Sequence, residues 1–119
     1  MGTDLLDIER FRAVLIRRPG LESRCFTDGE RSSIDERRDR VPGLAVRFAA
    51  KEAVMKALGV GIGAFELRDV EVQRESSGEP LLLLHGRASR LAEERGVSEW
   101  RISLSHTSSN AMAVALALG

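Results

Sequence analysis

The stretch LAVRFAAKEAVMKAL, Leu44 to Leu58, decides how the rest of this chain is read. It holds no Pro or Gly, is rich in strong helix formers and follows Pro42-Gly43, so the sequence predicts a helix of about four turns over it. Eleven of its fifteen residues are apolar, which suits a helix enclosed by other elements. At roughly 100° per residue, Val46, Ala49, Ala50, Ala53, Val54 and Ala57 share one side, small enough for another backbone to come close. Arg47 and Lys51 form a second group, and Glu52 with Lys56 a third. Spacing alone leaves Glu52 and Lys56 readable as an exposed i,i+4 pair, worth about 0.3–0.5 kcal/mol. Composition argues for more. Of 18 basic residues 16 are Arg, and the two Lys, Lys51 and Lys56, both fall on this helix. There a compact ammonium is a specific choice.

A length of 119 residues predicts one domain able to bury about two thirds of its unfolded surface. Eighteen acidic residues balance the basic ones, which disfavours a general nucleic-acid or membrane-surface binder, and the few aromatics disfavour the former further. A single cysteine, Cys25, excludes an internal disulfide, and with only His85 and His106 beside it no structural zinc site can be built. No charged leader with an apolar core is visible, and no apolar run approaches the ~20 residues of a membrane span. The expectation is a soluble, cytoplasmic protein.

Outward from the central helix the signals are local. Met1 to Leu6 is too short to predict firmly as a strand, whereas Asp7 reads as the N-cap of a helix from Ile8 to Arg18, stopped by Pro19-Gly20. Ile8, Phe11, Val14 and Leu15 give that helix an apolar stripe; Arg10, Arg17 and Arg18 make its other side positive and able to meet an acidic partner. Thr27 and Glu30 form a capping-box pattern ahead of a helix from about Asp28 to Arg38. Gly59-Val60-Gly61-Ile62-Gly63 reads either as a helix C-cap or as bare backbone able to approach a phosphate. Val70 to Val72 and Leu81 to Leu84 flank a turn and predict a hairpin. A helix from Arg87 to Arg95 capped by Gly96 follows, then strands over Trp100 to Leu104 and Ala111 to Leu118. The fold class is α+β, an antiparallel sheet packed around a long central helix.

Carboxylates that converge could hold Mg²⁺, which takes one or two of them with phosphates and water. Asp4 and Glu52 are the candidates, although Asp4 also reads as an ordinary turn residue. His106 ends a strand, where a side chain can reach a cleft. Ser105 and His106 are adjacent on a strand and point apart, so a Ser/His hydrolase is a poor reading.

Gly2-Thr3-Asp4, followed by RFAAKEAVMKA from Arg47 to Ala57, resembles the paired signature of the 4'-phosphopantetheinyl transferases, in particular the small, single-domain, trimeric type. Asp7 to Phe11, Phe26-Thr27 with Glu30, Gly59 to Gly63, Asp69 to Val72 before Gly78-Glu79-Pro80, and Ser103 to Thr107 extend the likeness over nearly the whole chain. The resemblance implies the fold of that family and transfer of the phosphopantetheine arm of coenzyme A to a serine of an acyl carrier protein, releasing 3',5'-ADP, with Mg²⁺ as cofactor. It implies that Asp4 and Glu52 hold the metal, that Glu52 takes the serine proton and that Lys56 steadies the leaving group. It places Arg47 and His106 at the 3'-phosphate of coenzyme A, with Arg37, Arg38 and Arg40 nearby and Gly59 at the cofactor, and Arg10 and Arg17 against the carrier protein. A homotrimer with sites at subunit boundaries follows from the same likeness. Whether fatty-acid or polyketide synthesis is served stays open. Because the chain starts at Met1-Gly2, the strand holding Asp4 is expected to be cut short. That expectation motivates an alternative, a non-catalytic coenzyme A or carrier-protein binding module of the same fold.

Overall fold

The computed structural model describes residues 1–119. The chain runs β1 (Gly2–Asp7), α1 (Ile8–Arg17), α2 (Leu21–Cys25), α3 (Asp28–Ser32), α4 (Val41–Leu58), β2 (Val70–Arg74), β3 (Pro80–Leu84), α5 (Gly86–Glu94), β4 (Glu99–His106) and β5 (Asn110–Leu118). The class is α+β as expected, but the strands form two antiparallel sheets: β1-β5-β4, and the hairpin β2-β3. The central helix α4 begins a turn before Leu44, because Pro42 sits in its first turn, where a missing N–H costs nothing. The helix expected from Asp28 to Arg38 is only Asp28–Ser32, and residues 33–40 leave it as a looped segment. Its capping box is present in full, with Thr27 Oγ1 accepting from Glu30 N and Glu30 Oε1 accepting from Thr27 N.

Two apolar clusters flank one helix. The first half of α4 gives Leu44, Ala45 and Val46 to a core shared with Ile8, Phe11, Phe26 and Ile34. The second half packs Ala49, Ala50, Ala53 and Val54 against β2, α5 and Ala113 and Ala115 of β5. Small residues set this spacing: Ala111, Ala113 and Ala115 alternate inward along β5 and are fully buried. At Gly2 the fit is closest, since a Cβ there would stand 2.0 Å from the Ala53 carbonyl oxygen. So β1 lies directly on α4.

Although it begins at the second residue, β1 is paired along its whole length. All six residues of β1 pair with β5, from Gly2 opposite Ala115 to Asp7 opposite Asn110, so Asp4 stands mid-strand opposite Ala113. Alternation turns Gly2, Asp4 and Leu6 toward α4 and leaves Thr3 and Leu5 on the outer face. Asp7 then caps α1 by accepting from Arg10 N at 2.8 Å. No helix is long and apolar enough to cross a membrane.

Candidate active site

β1 and the C-terminal half of α4 bring three charged side chains together. Lys56 is largely exposed, and its Nζ donates to Asp4 Oδ1 at 3.0 Å and to the Thr3 carbonyl at 2.9 Å. Glu52, one turn back on the same helix face, is half-buried. Burial raises its pKa, the Asp4 charge raises it further, and the Lys56 ammonium opposes both. Asp4, which spacing alone left as a turn residue, is therefore a partner of Lys56 and an electrostatic neighbour of Glu52. Two partly buried carboxylates from different elements, beside a solvent-facing ammonium, make a hard-oxygen donor pair of the kind Mg²⁺ uses with phosphate and water, so the residues fit such an ion. Gly59 closes the helix with φ +71°, donating to Lys56 and Met55 carbonyls, and so stands one turn beyond Lys56.

The second lysine goes elsewhere. Lys51 is completely buried, and its three ammonium protons go to Glu30 Oε1 at 2.8 Å, the Leu67 carbonyl at 3.1 Å and the Val70 carbonyl. Glu30 in turn accepts from Thr27 N and from Val72 N. Burial pushes the Lys51 pKa down and Glu30 pulls it back, in a network whose donors are all used. Sequence reading picked out Lys51 but not its partner, 21 positions away.

Arg47 is also buried. Its Nη1 donates to the Gly43 carbonyl and its Nη2 to Ser33 Oγ, each at 3.1 Å, while Nε has no partner. Burial lowers its pKa, and the charges of Arg37 and Arg74 lower it further. Arg37 Nη1 and Arg47 Nη1 approach one point at Gly43, 2.9 and 3.6 Å from where a Cβ would be. No carboxylate lies within ion-pairing distance of Arg47 or Arg37. Such crowded guanidinium groups suit an anion. Of the neighbouring arginines named with Arg37, Arg40 is engaged by Glu22 and Asp35. Arg74, on β2, carried no local signal of joining this group.

A single chain does not join the two groups. Arg47 and Glu52 are five positions apart on α4, about 140° around the helix. His106 is exposed at the end of β4, and β5 lies between it and β1, putting it roughly 10 Å or more from Asp4. Arg10 and Arg17 are both exposed on α1.

Comparison with known proteins gives one answer. A holo-[acyl-carrier-protein] synthase of Moorella thermoacetica is 47% identical over 115 residues, covering 97% of this chain and 90% of its own. The crystal structure of the holo-[acyl-carrier-protein] synthase of Neisseria meningitidis superposes with a TM-score of 0.90 at 30% identity, over 99% of this chain and 96% of that one. That of the Helicobacter pylori synthase, in complex with coenzyme A, gives 0.85 at 25% identity over 98% of both. Residues 1–116 match the model of the 4'-phosphopantetheinyl transferase superfamily, and with β1, α4 and their charged residues arranged as above, the chain belongs to that family.

Proposed function

We propose that this chain, acting as one catalytic domain, transfers the 4'-phosphopantetheine group of coenzyme A to a serine of an apo acyl carrier protein and releases 3',5'-ADP. The observation that carries the reading is the meeting of Asp4, Glu52 and Lys56 where β1 lies on α4. Coenzyme A in the Helicobacter pylori relative supports the co-substrate. Asp4 and Glu52 would hold Mg²⁺, which when bound would neutralise pyrophosphate charge and draw charge from the phosphorus under attack. Glu52, directly or through a metal-bound water, takes the serine proton. The serine oxygen bonds to the pantetheine-bearing phosphorus while the bond to the bridging oxygen breaks. Lys56 faces the charge gathering on the departing nucleotide, and Gly59 leaves bare backbone beside it. Arg47 and Arg37 seat the 3'-phosphate, with His106 as a further cation. A buried guanidinium with an unpaired Nε supports that seat, because an anion completes it.

Arg10 and Arg17, exposed on α1, form the surface for an acidic carrier protein. The protein works as a homotrimer in the cytoplasm. Two observations support the assembly: Arg47 faces away from Glu52, so a complete site draws on two copies, and Leu5, Met112 and Leu116 leave an apolar strip along β1 and β5 on the outer side of the sheet, edged by Ser103, Ser105 and Arg101 of β4. The deciding experiment is intact-mass analysis of an apo acyl carrier protein incubated with this protein and coenzyme A. A gain of one phosphopantetheine group with Mg²⁺, lost with chelator, is expected. Coenzyme A bound without any gain would instead mark a binding module.

A further inference from the structure

The segment 33–40 has no regular structure, and Arg37 sits in its middle. Ile34, fully buried, anchors its start. At its end Asp39 meets α1: Arg12 Nη1 and Nη2 donate to Asp39 Oδ1 at 3.0 Å and Oδ2 at 2.7 Å, a two-pronged pair spanning 27 positions. Glu9 accepts from Arg12 Nε and holds that guanidinium from behind. Asp39 Oδ1 also accepts from Val41 N, capping α4 where the N-cap residue Arg40 offers no side-chain bond. One carboxylate thus ties three things together: α1, the first turn of α4, and the loop bearing Arg37. Hydrogen bonds from Arg12 and Val41 hold its pKa below the ordinary carboxyl value.

We propose that Arg12 and Asp39 are a positioning pair for the 3'-phosphate of coenzyme A: their ion pair fixes the loop so that Arg37 stands over Arg47, without either residue touching the nucleotide. The proposal rests on the reading of Arg37 and Arg47 as the phosphate seat. A long exposed arginine on an unanchored loop must be ordered anew each time an anion binds, and an anchor removes that cost before binding. Exposed pairs add little to stability, so a function in preorganisation is separable from one in folding.

Two variants isolate the pair. Asp39→Asn keeps an acceptor for Val41 N and loses the charge; Arg12→Gln removes the other partner and leaves the cap intact. Steady-state kinetics are compared with coenzyme A and with 3'-dephospho-coenzyme A. Either variant is expected to raise KM for coenzyme A about 3- to 10-fold with kcat unchanged. KM for the dephospho substrate should stay put, the double variant should be no worse than either single one, and Tm should hold within about 2 °C. Equal shifts with both substrates, or additive losses, would show a general structural effect and overturn the proposal. Wild-type discrimination between the substrates that survives in both variants would overturn the pair alone. Equal KM values for the two substrates in the wild type would remove the phosphate seat itself, and the proposal with it.

Discussion

Lys51 and Lys56 carry the same group on one helix, and their surroundings give them opposite work. Lys56 keeps a solvent-facing ammonium beside Asp4, able to follow charge that develops on a substrate. Removing the carboxylate charge at the neighbouring position, as in Glu52→Gln, is expected to lower Mg²⁺-dependent kcat/KM by about 10²–10³-fold with the fold intact, read by circular dichroism and the mass assay. Activity near the wild-type level would disprove the role of Glu52. A different carboxylate answers to pH. Burial pushes the Glu71 pKa up, but bonds from His85 Nε2 at 2.8 Å, Thr27 Oγ1 at 3.0 Å and Gln73 outweigh it, and the net shift is downward. The ionised form therefore stabilises the fold above the ordinary carboxyl value of 4.5, and that contribution disappears as pH falls through the lower folded value. Glu71→Gln should cost about 1–2 kcal/mol at pH 7. In urea titrations its deficit should close as the pH falls through the lowered folded value; a constant deficit would mean the charge is not what matters.

At the scale of elements, the Glu30–Lys51 network joins the start of α3, the middle of α4, the turn at Leu67 and strand β2. Lys51→Met leaves a buried carboxylate without its cation and is expected to cost about 3–5 kcal/mol. Adding Glu30→Gln should recover part of that loss, a non-additivity that a double-mutant cycle in urea measures. Independent losses would sink the idea of one coupled network. This network also marks where sequence reading stopped. The Asp7 cap, the Thr27–Glu30 box, the Gly96 helix end and the β2-β3 hairpin are fixed by residues a few positions apart and were legible, while the Gly59 helix end was one of two readings of its stretch. β1 was not, because six residues acquire strand geometry only by pairing with β5 at the other end of the chain. α2 carries no cap signal, and α3 stops after Ser32 because residues 33–40 are drawn off by Ile34, Arg40 and Asp39 to distant partners. The candidate site divides the same way. Glu52 and Lys56 were legible as a helical pair, whereas the meeting with Asp4 and the approach of Arg37 to Arg47 depend on contacts no spacing reveals.

For the whole molecule, the distribution of charge on α4 and the apolar strip on the outer side of the sheet make one prediction. If Asp4, Glu52 and Lys56 act with Arg47 and His106 from a neighbouring copy, then each complete site lies between copies, and neither half works alone. Leu5 is 68% exposed on the outer face of β1, so Leu5→Glu places a charge in the proposed contact without disturbing the buried face of the sheet. Sedimentation should then report monomers, and turnover should vanish although every site residue remains. A sharper test uses two inactive variants, Arg47→Ala and Glu52→Gln, each defective in a different half. Coexpressed and purified together, they form mixed assemblies in which some boundaries pair an intact Glu52 with an intact Arg47. In a ring of three copies with random mixing, about one boundary in four is of that kind, so roughly a quarter of wild-type activity should return. Either variant alone stays inactive at any concentration, because no boundary in it has both halves. If the mixture is as inactive as its parts, the catalytic residues must converge within one copy, and the separation of Arg47 from Glu52 around α4 would have to close by a rearrangement of the chain itself.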